Sequence, residues 1–189
     1  MKGVFVSDNK CLSCHSCEIA CSVAHSKSKT LFGAIGEEFP PQARIYVEPV
    51  EGGAFPIQCR HCSEPHCVKA CVTKALHIDE ATEAVLYEDK RCIGCTMCVL
   101  ACPFGLIEKQ SKPGGGFGVS KCDLCGTVGT EQVGKDTLAS VSNPATSPYA
   151  CVAACPTGAL RFETVDNYST DKRRAFLVEF TSQDNIPEN

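Results

Sequence analysis

The chain has no tryptophan, two methionines and no long hydrophobic run. Its longest uncharged stretch, residues 137–160, contains three prolines among serine, threonine and asparagine, which excludes a membrane-spanning helix there. With a net charge of −4, the chain lacks the excess of basic residues typical of a nucleic-acid-binding protein and gives no sign of that function. Residues 1–8 also lack the apolar segment and cleavage site of a signal peptide. We therefore expect a reducing, cytoplasmic location.

Cysteine is abundant instead, with 16 in 189 residues. Clustered thiols in a reducing compartment bind metal rather than form disulfides. The sixteen cysteines divide into four quartets with none left over, and every quartet ends C-x3-C, which indicates internal repeats of one unit. Quartets one to four are, in order, Cys11, Cys14, Cys17 and Cys21; Cys59, Cys62, Cys67 and Cys71; Cys92, Cys95, Cys98 and Cys102; and Cys122, Cys125, Cys151 and Cys155.

Quartet three has the spacing C-x2-C-x2-C-x3-C followed by Pro103, which is typical of bacterial ferredoxins that bind [4Fe–4S] clusters. A tight loop can bring three thiolates to one cluster, whereas the fourth cysteine, one helical turn further on, is placed for a neighbouring cluster. Sixteen thiols then predict four [4Fe–4S] clusters. Structural zinc is the alternative, although its four thiolates usually come as two C-x2-C pairs.

The order of the quartets predicts how they share ligands. Quartets two and three are joined by a predicted β-hairpin over residues 75–88, so we expect them to exchange their fourth cysteines, and quartets one and four to do the same across this inserted unit. Sequential pairing, one with two and three with four, competes with this arrangement. The 37 residues between the first two quartets, which we predict to be a loop plus one strand, make it less favoured. The predicted ligand sets are Cys11, Cys14, Cys17 and Cys155; Cys21, Cys122, Cys125 and Cys151; Cys59, Cys62, Cys67 and Cys102; and Cys71, Cys92, Cys95 and Cys98.

The predicted fold class is α+β, with two nested bacterial-ferredoxin-like dicluster modules built from short strands, hairpins and short helices. The outer module comprises residues 1–58 and 103–165, the inner module residues 59–102, and a C-terminal extension residues 166–189. Besides the hairpin, we expect strands at 2–7 and 44–50, a short strand beginning at 105–108, and a turn followed by a strand over 157–163. We also expect a helix at 18–24, a flexible connector at 113–118, a loop at 126–150, and helix or strand at 171–180.

Several segments resemble the four-cluster iron–sulfur electron-transfer subunits of the dimethyl-sulfoxide-reductase and formate-hydrogenlyase type: residues 15–21, 65–71, 91–98, 101–105, 121–125 and 154–160. In length, and in ending soon after quartet four, the chain is most similar to the members that accompany carbon monoxide dehydrogenase. The resemblance implies the same exchange of ligands, one with four and two with three. Ser22 and Val72 stand where proline often follows the fourth cysteine, which predicts local differences at those two turns.

Four clusters bound by cysteine alone leave no open iron site, so we expect an electron carrier rather than an enzyme. The expected partners are carbon monoxide dehydrogenase, a hydrogenase or a molybdenum oxidoreductase. A freely diffusing polyferredoxin and a non-redox scaffold braced by metal are the alternatives. His15, His61 and His66 flank predicted ligands, but none is needed as a ligand because every thiol set is complete. The basic residues 172–174 are a candidate contact for an acidic partner.

Overall fold

The computed structural model describes residues 2–126 and 147–183, in which short helices alternate with small strand pairs. The strands are β1 (Lys2–Val6), β2 (Ile45–Val50), β3 (Gly53–Gln58), β4 (Leu76–Ile78), β5 (Val85–Tyr87), β6 (Glu108–Ser111), β7 (Phe117–Ser120) and β8 (Leu160–Thr164). The helices are α1 (Ser16–His25), α2 (Leu31–Ile35), α3 (His66–Lys69), α4 (Met97–Ala101), α5 (Ala150–Ala153) and α6 (Val165–Gln183), with 3-10 turns at Asp8–Lys10 and Asp89–Arg91. The α+β class is confirmed.

Each strand belongs to a two-stranded antiparallel sheet. Three of these sheets are local hairpins, β2–β3, β4–β5 and β6–β7. The fourth joins two segments that are far apart in the sequence, because β1 pairs with β8 from Lys2 opposite Thr164 to Val6 opposite Leu160. This pairing brings the N-terminal strand beside the segment that follows quartet four.

The helices that carry the predicted ligands pack in two pairs. Helix α1, from quartet one, packs against α5, from quartet four, and α3, from quartet two, packs against α4, from quartet three. Each pair has a hairpin strand beside it, since β2 contacts α1 and β4 contacts α3. The helix pairs therefore follow the predicted pairing of the quartets.

Cysteine side chains form part of the buried core in both regions. Leu160 and Ile45 pack with Cys17, Cys21 and Cys151 in one core. A second core around α3 and α4 also contains Ile107 and Val119. The packing unit around quartets two and three therefore extends beyond Cys102 as far as β7.

Residues 22–58 differ from the loop plus one strand that the sequence predicts. They contain α2 and a complete β2–β3 hairpin. β3 carries Pro56, which has no backbone N–H to donate and which argues against a strand in a sequence pattern. A compact hairpin therefore does lie between quartets one and two, and the expectation that this gap lacks one was wrong.

Two other segments take a definite form. The predicted connector at 113–118 includes the turn of the β6–β7 hairpin and the first residues of β7. The ambiguous segment 171–180 is helical and lies within α6. Residues 127–146 of the predicted loop at 126–150 lie outside the described residues, and Ala150 is already the first residue of α5. Within the described ranges, none of the helices combines the length and apolarity required to cross a bilayer.

Candidate functional site

Four cavities in the described chain are each lined by four cysteines, and each has a volume of about 310 to 380 Å³ including its open mouth. All sixteen cysteines are free thiols. Cavity A is lined by Cys11, Cys14, Cys17 and Cys155; cavity B by Cys21, Cys122, Cys125 and Cys151; cavity C by Cys59, Cys62, Cys67 and Cys102; and cavity D by Cys71, Cys92, Cys95 and Cys98.

The cavities group the thiols as the exchange arrangement does. Cavities A and B combine quartets one and four, and cavities C and D combine quartets two and three. None of the four combines quartet one with quartet two, as sequential pairing requires. The geometry thus brings every predicted ligand set together, and cluster binding by these sets stays a prediction.

The loops between the first two cysteines of the quartets share a backbone feature. The residue before the second cysteine has a positive φ in every quartet, namely Ser13, His61, Gly94 and Leu124. Such turns direct successive backbone N–H groups into one concavity, and a concavity lined by N–H groups binds anions. At Gly94 the φ is +72° and a Cβ would lie 2.7 Å from the Phe117 carbonyl oxygen, so only glycine fits.

Backbone N–H groups donate to several of the lining sulfurs. The Sγ of Cys21 accepts from the N–H of Arg44 at 3.3 Å, and the Sγ of Cys92 accepts from the N–H of Gly94 at 3.4 Å. Donors of this kind stabilise negative charge on sulfur and help to set the potential of iron–sulfur clusters.

Cys71 and Cys155 occupy equivalent environments in the two halves of the chain. Burial acts to raise the pKa of each thiol, but backbone N–H donors and a nearby threonine hydroxyl outweigh it, so both pKa values are lowered. The hydroxyls belong to Thr73, 3.8 Å from Cys71 Sγ, and Thr157, 3.7 Å from Cys155 Sγ. The repeated sequence unit therefore produces a repeated thiolate-stabilising turn.

Other thiols are buried deeply enough that the proton is retained in the absence of metal. Burial raises the pKa of Cys17 to about 12 and that of Cys122 to about 12. It also raises the pKa of Cys151 well above its ordinary value. Because metal ligation requires the thiolate, binding of metal by these thiols would release protons and stabilise the folded chain.

The donor sets fit an iron–sulfur cluster better than a single ion. In residues 2–126 and 147–183, no group of three or more His, Cys, Asp or Glu side chains could hold one metal ion. A structural zinc needs its four sulfurs about 2.3 Å from one centre. Four thiols around a cavity, with N–H donors to the sulfurs, are what a [4Fe–4S] cluster requires.

Comparison with known proteins agrees with this donor chemistry. Residues 50–165 match the family model described as a 4Fe-4S dicluster domain. The chain belongs to this family. Members of the family are iron–sulfur proteins. This dicluster-family chain is accordingly an electron-transfer iron–sulfur protein.

Three relatives illustrate the range of the similarity. An iron–sulfur protein of Rhodospirillum rubrum is 40% identical over 179 residues, covering 91% of this chain and 87% of that protein. The electron transport protein HydN of Escherichia coli K12 is 31% identical over 192 residues, covering 94% of this chain and 98% of HydN. The polyferredoxin-like subunit of the aliphatic sulfonate oxidoreductase of Pyrococcus furiosus is 39% identical over 124 residues, covering 65% of each.

The three histidines considered from sequence occupy different environments in the dicluster-family chain. His15 and His66 are exposed, and His15 Nδ1 lies 2.7 Å from Glu18 Oε2. His61 is buried, and its Nδ1 accepts from the N–H of Val85 at 3.0 Å. Burial, reinforced by the charge of Lys121, lowers the pKa of His61 to about 3, so the ring is neutral and holds β5 against the loop of cavity C.

Sequence reasoning missed His25, which lies beside cavity B. Its Nδ1 is 2.8 Å from the carbonyl oxygen and 3.7 Å from the Sγ of Cys21. This placement follows from the predicted departure at Ser22. Helices α4 and α5 end before their fourth cysteine and before Pro103 and Pro156, whereas Ser22, which keeps its backbone N–H, lies inside α1, which continues to His25. At Val72 the helix α3 has already ended, so the missing proline changes nothing there.

A buried charge network beside cavity B was also missed. Asp123, whose side chain is 3% exposed, accepts from Arg44 Nη1 at 2.9 Å through one oxygen and lies 3.0 Å from His25 Nε2 through the other. These three residues come from the fourth-quartet loop, the segment before β2, and α1. In the sequence, the one sign of this network is the position of Asp123 between Cys122 and Cys125.

Proposed function

We propose that this chain carries electrons through four [4Fe–4S] clusters, one in each of cavities A to D. The observation that supports this most directly is the grouping of sixteen free thiols into four sets of four around four cavities. The proposed ligands are those sets, and nothing in this role requires catalysis by the chain itself.

The residues of the chain hold, insulate and tune the proposed clusters. When bound, each cluster supplies a site that gains or loses one electron. The buried thiols give up their protons to become ligands, and the N–H groups of Arg44, Leu76 and Gly94 donate to ligand sulfurs. Apolar neighbours such as Leu76 and Leu160 exclude water from the cavities. Burial and N–H donation together set the potential at each site.

The grouping of thiols supports a nested organisation. We propose that residues 1–58 and 103–165 form an outer dicluster module around cavities A and B, that residues 59–102 form an inner module around C and D, and that residues 166–189 are an extension. The α1–α5 and α3–α4 packing and the β1–β8 pairing support two such units, while the packing of Ile107 and Val119 with α3 and α4 places the end of the inner unit beyond residue 102.

A count of iron and sulfide in anaerobically prepared protein tests the cluster number. We expect about sixteen irons and about sixteen sulfides per chain, with a visible chromophore that dithionite bleaches. About eight irons, or zinc in place of iron, would contradict the proposal. As a control for loss of iron and sulfide during purification, the unaltered chain is treated with chelator, reconstituted with iron and sulfide, and counted again.

We further propose that the chain serves as a bound subunit of a redox metalloenzyme, with carbon monoxide dehydrogenase as the first candidate and a hydrogenase or molybdenum oxidoreductase as the others. The resemblance of the chain to the proteins that accompany carbon monoxide dehydrogenase supports the first candidate. Exposed apolar side chains on α6, including Phe176 and Phe180, favour a bound subunit over a freely diffusing polyferredoxin. We also propose a reducing compartment such as the cytoplasm, because clustered cysteines there bind metal rather than form disulfides.

Anaerobic co-purification from cells at native expression distinguishes the two classes. A bound subunit elutes with a metalloenzyme, and carbon monoxide then reduces its clusters only if that enzyme is carbon monoxide dehydrogenase. A matched variant in which Phe176 and Phe180 are both changed to Ser should lose the partner while retaining iron. Elution of the unaltered chain alone, with several enzymes reducing it equally, would favour the polyferredoxin.

A further inference from the structure

Lys121 is a buried lysine that connects the surroundings of cavity B to those of cavity C. The residue is 2% exposed and precedes Cys122, which lines cavity B. Its Nζ donates to the carbonyl oxygen of Cys122 and to that of Val85. Val85 lies in β5 and lines cavity C. Lysine is almost never fully buried without a specific role, so this placement requires an explanation.

The hydrogen bonds of Lys121 hold its ammonium group without neutralising it. Backbone carbonyls are neutral acceptors, and an ammonium group has three donors and no acceptor. The nearby carboxylate of Asp123 is paired with Arg44 at 2.9 Å and contacts His25 at 3.0 Å. The neighbouring imidazole of His61 carries no charge, since its Nδ1 accepts the N–H of Val85.

The Lys121 ammonium group lies beside both cavities. Its two carbonyl acceptors belong to Cys122, which lines cavity B, and to Val85, which lines cavity C. One buried positive charge is therefore held next to the thiols on both sides.

This position matters because the cavities are linked in pairs. Cavities A and B share quartets one and four, and C and D share quartets two and three, but B and C have no quartet in common. The contact of Lys121 with Val85 crosses this junction. Adding an electron to a cluster adds one negative charge, which a positive charge in a medium of low dielectric stabilises.

We propose that Lys121 is a positioning residue that raises the reduction potentials of the sites in cavities B and C and so couples the two pairs. This inference rests on the proposed four-cluster function. The role is electrostatic: no bond forms or breaks and no proton moves. The same charge faces both sites, so it brings their potentials upward together.

Potentiometric titration of the full iron-loaded chain, followed by electron paramagnetic resonance, tests the role. In Lys121→Met we expect two of the four midpoint potentials to fall by at least about 59 mV, a tenfold change in a one-electron equilibrium. Cys59→Ser and Cys122→Ser identify those two signals as cavities C and B. Lys121→Gln, which keeps an N–H donor for the carbonyls, should give the same pattern. Lys121→Arg, which keeps the positive charge, should keep the potentials of the unaltered chain.

Lys69→Met is the matched control. Lys69 is two residues from Cys67, but its side chain is 61% exposed, so solvent screens its charge and all four potentials should stay unchanged. Unchanged potentials in Lys121→Met and Lys121→Gln with full iron content would overturn the inference and leave the four-cluster function standing. Loss of iron from both neutral variants would also overturn it, because Lys121 would then act in assembly. A low iron count in the unaltered chain would instead overturn the proposed function.

Discussion

Cys17 and Cys21 lie one helical turn apart on α1, yet Cys17 lines cavity A and Cys21 lines cavity B. Side chains at positions i and i+4 share one face of a helix, so a single turn presents one thiol to each cavity. In the other three quartets the fourth cysteine lies one or two residues past the helix that carries the third, and the C-x3-C spacing again gives one thiol to each cavity of a pair. It explains why the cavities occur in pairs.

The first prediction concerns the division of α1 between the two cavities. Cys21→Ser should alter the spectrum of the site formed with Cys122, Cys125 and Cys151, and leave the site formed with Cys155 unchanged. Mössbauer spectra of the iron-57-enriched chain provide the measurement, with a loss of up to about four of about sixteen irons expected. Cys17→Ser is the matched control and should give the reverse pattern. A change in the Cys155-linked site caused by Cys21→Ser would refute the exchange.

The second prediction concerns the two positions where proline is absent. Ser22→Pro removes a helical hydrogen bond within α1, and the ring clashes with the carbonyl of residue 18, at a cost of about 3 kcal/mol. For a chain of this size that cost lowers the melting temperature by about 6 to 12 °C. Val72→Pro should have little effect because Val72 is 81% exposed and follows the end of α3. Thermal denaturation of both iron-loaded variants compares them, and equal destabilisation would contradict the assigned role of Ser22.

The third prediction concerns the buried ion pair beside cavity B. Asp123→Ala leaves Arg44 and His25 without their carboxylate partner, and breaking a buried pair in this way typically costs about 3 to 5 kcal/mol. We expect earlier unfolding in urea and loss of iron from cavity B before the other cavities. Glu64→Ala, which breaks the exposed pair between Glu64 and Lys69, should leave stability unchanged. Similar behaviour of the two variants would show that the Asp123 network does not brace the site.

The fourth prediction tests the two proposed modules through equivalent leucines. Leu160 packs with Cys17 and Cys21, and Leu76 packs with Cys67 and Cys98; both leucines are buried. Replacing either with alanine should cost about 2 to 5 kcal/mol because it leaves a cavity in a packed core. Leu160→Ala should release iron first from cavities A and B, and Leu76→Ala first from C and D.

Time-resolved chelation of iron, with each site followed by its spectrum, measures the order of release. Leu100→Ala is the control, since Leu100 lies on α4 but is 78% exposed. Simultaneous release from all four cavities in both leucine variants would show that the chain unfolds as one unit rather than as two modules.

Most of the accurate predictions came from patterns among residues close together in the sequence. The order of the quartets predicted the four thiol groupings that line the cavities, while cluster binding by these groupings stays a prediction, and strand-like sequence patterns predicted β1, β2, β8 and the β4–β5 hairpin. Strand β3 was missed because Pro56 and its neighbouring glycines weaken a strand pattern that pairing with β2 nevertheless supports. Tertiary pairing compensates for a low local propensity, and sequence alternation cannot report it.

The sequence by itself determined the number of thiols, their repeated spacing and hence the iron–sulfur chemistry, because ligand geometry within a loop is fixed by a few consecutive residues. Only the tertiary structure decided which charged and polar side chains lie beside the cavities. Lys121, Asp123, Arg44 and His25 come from segments up to about one hundred residues apart, and their burial and mutual contacts arise when those segments pack. A lysine next to a cysteine in the sequence does not by itself indicate an electrostatic role. That role depends on the packing of β5 against the lysine.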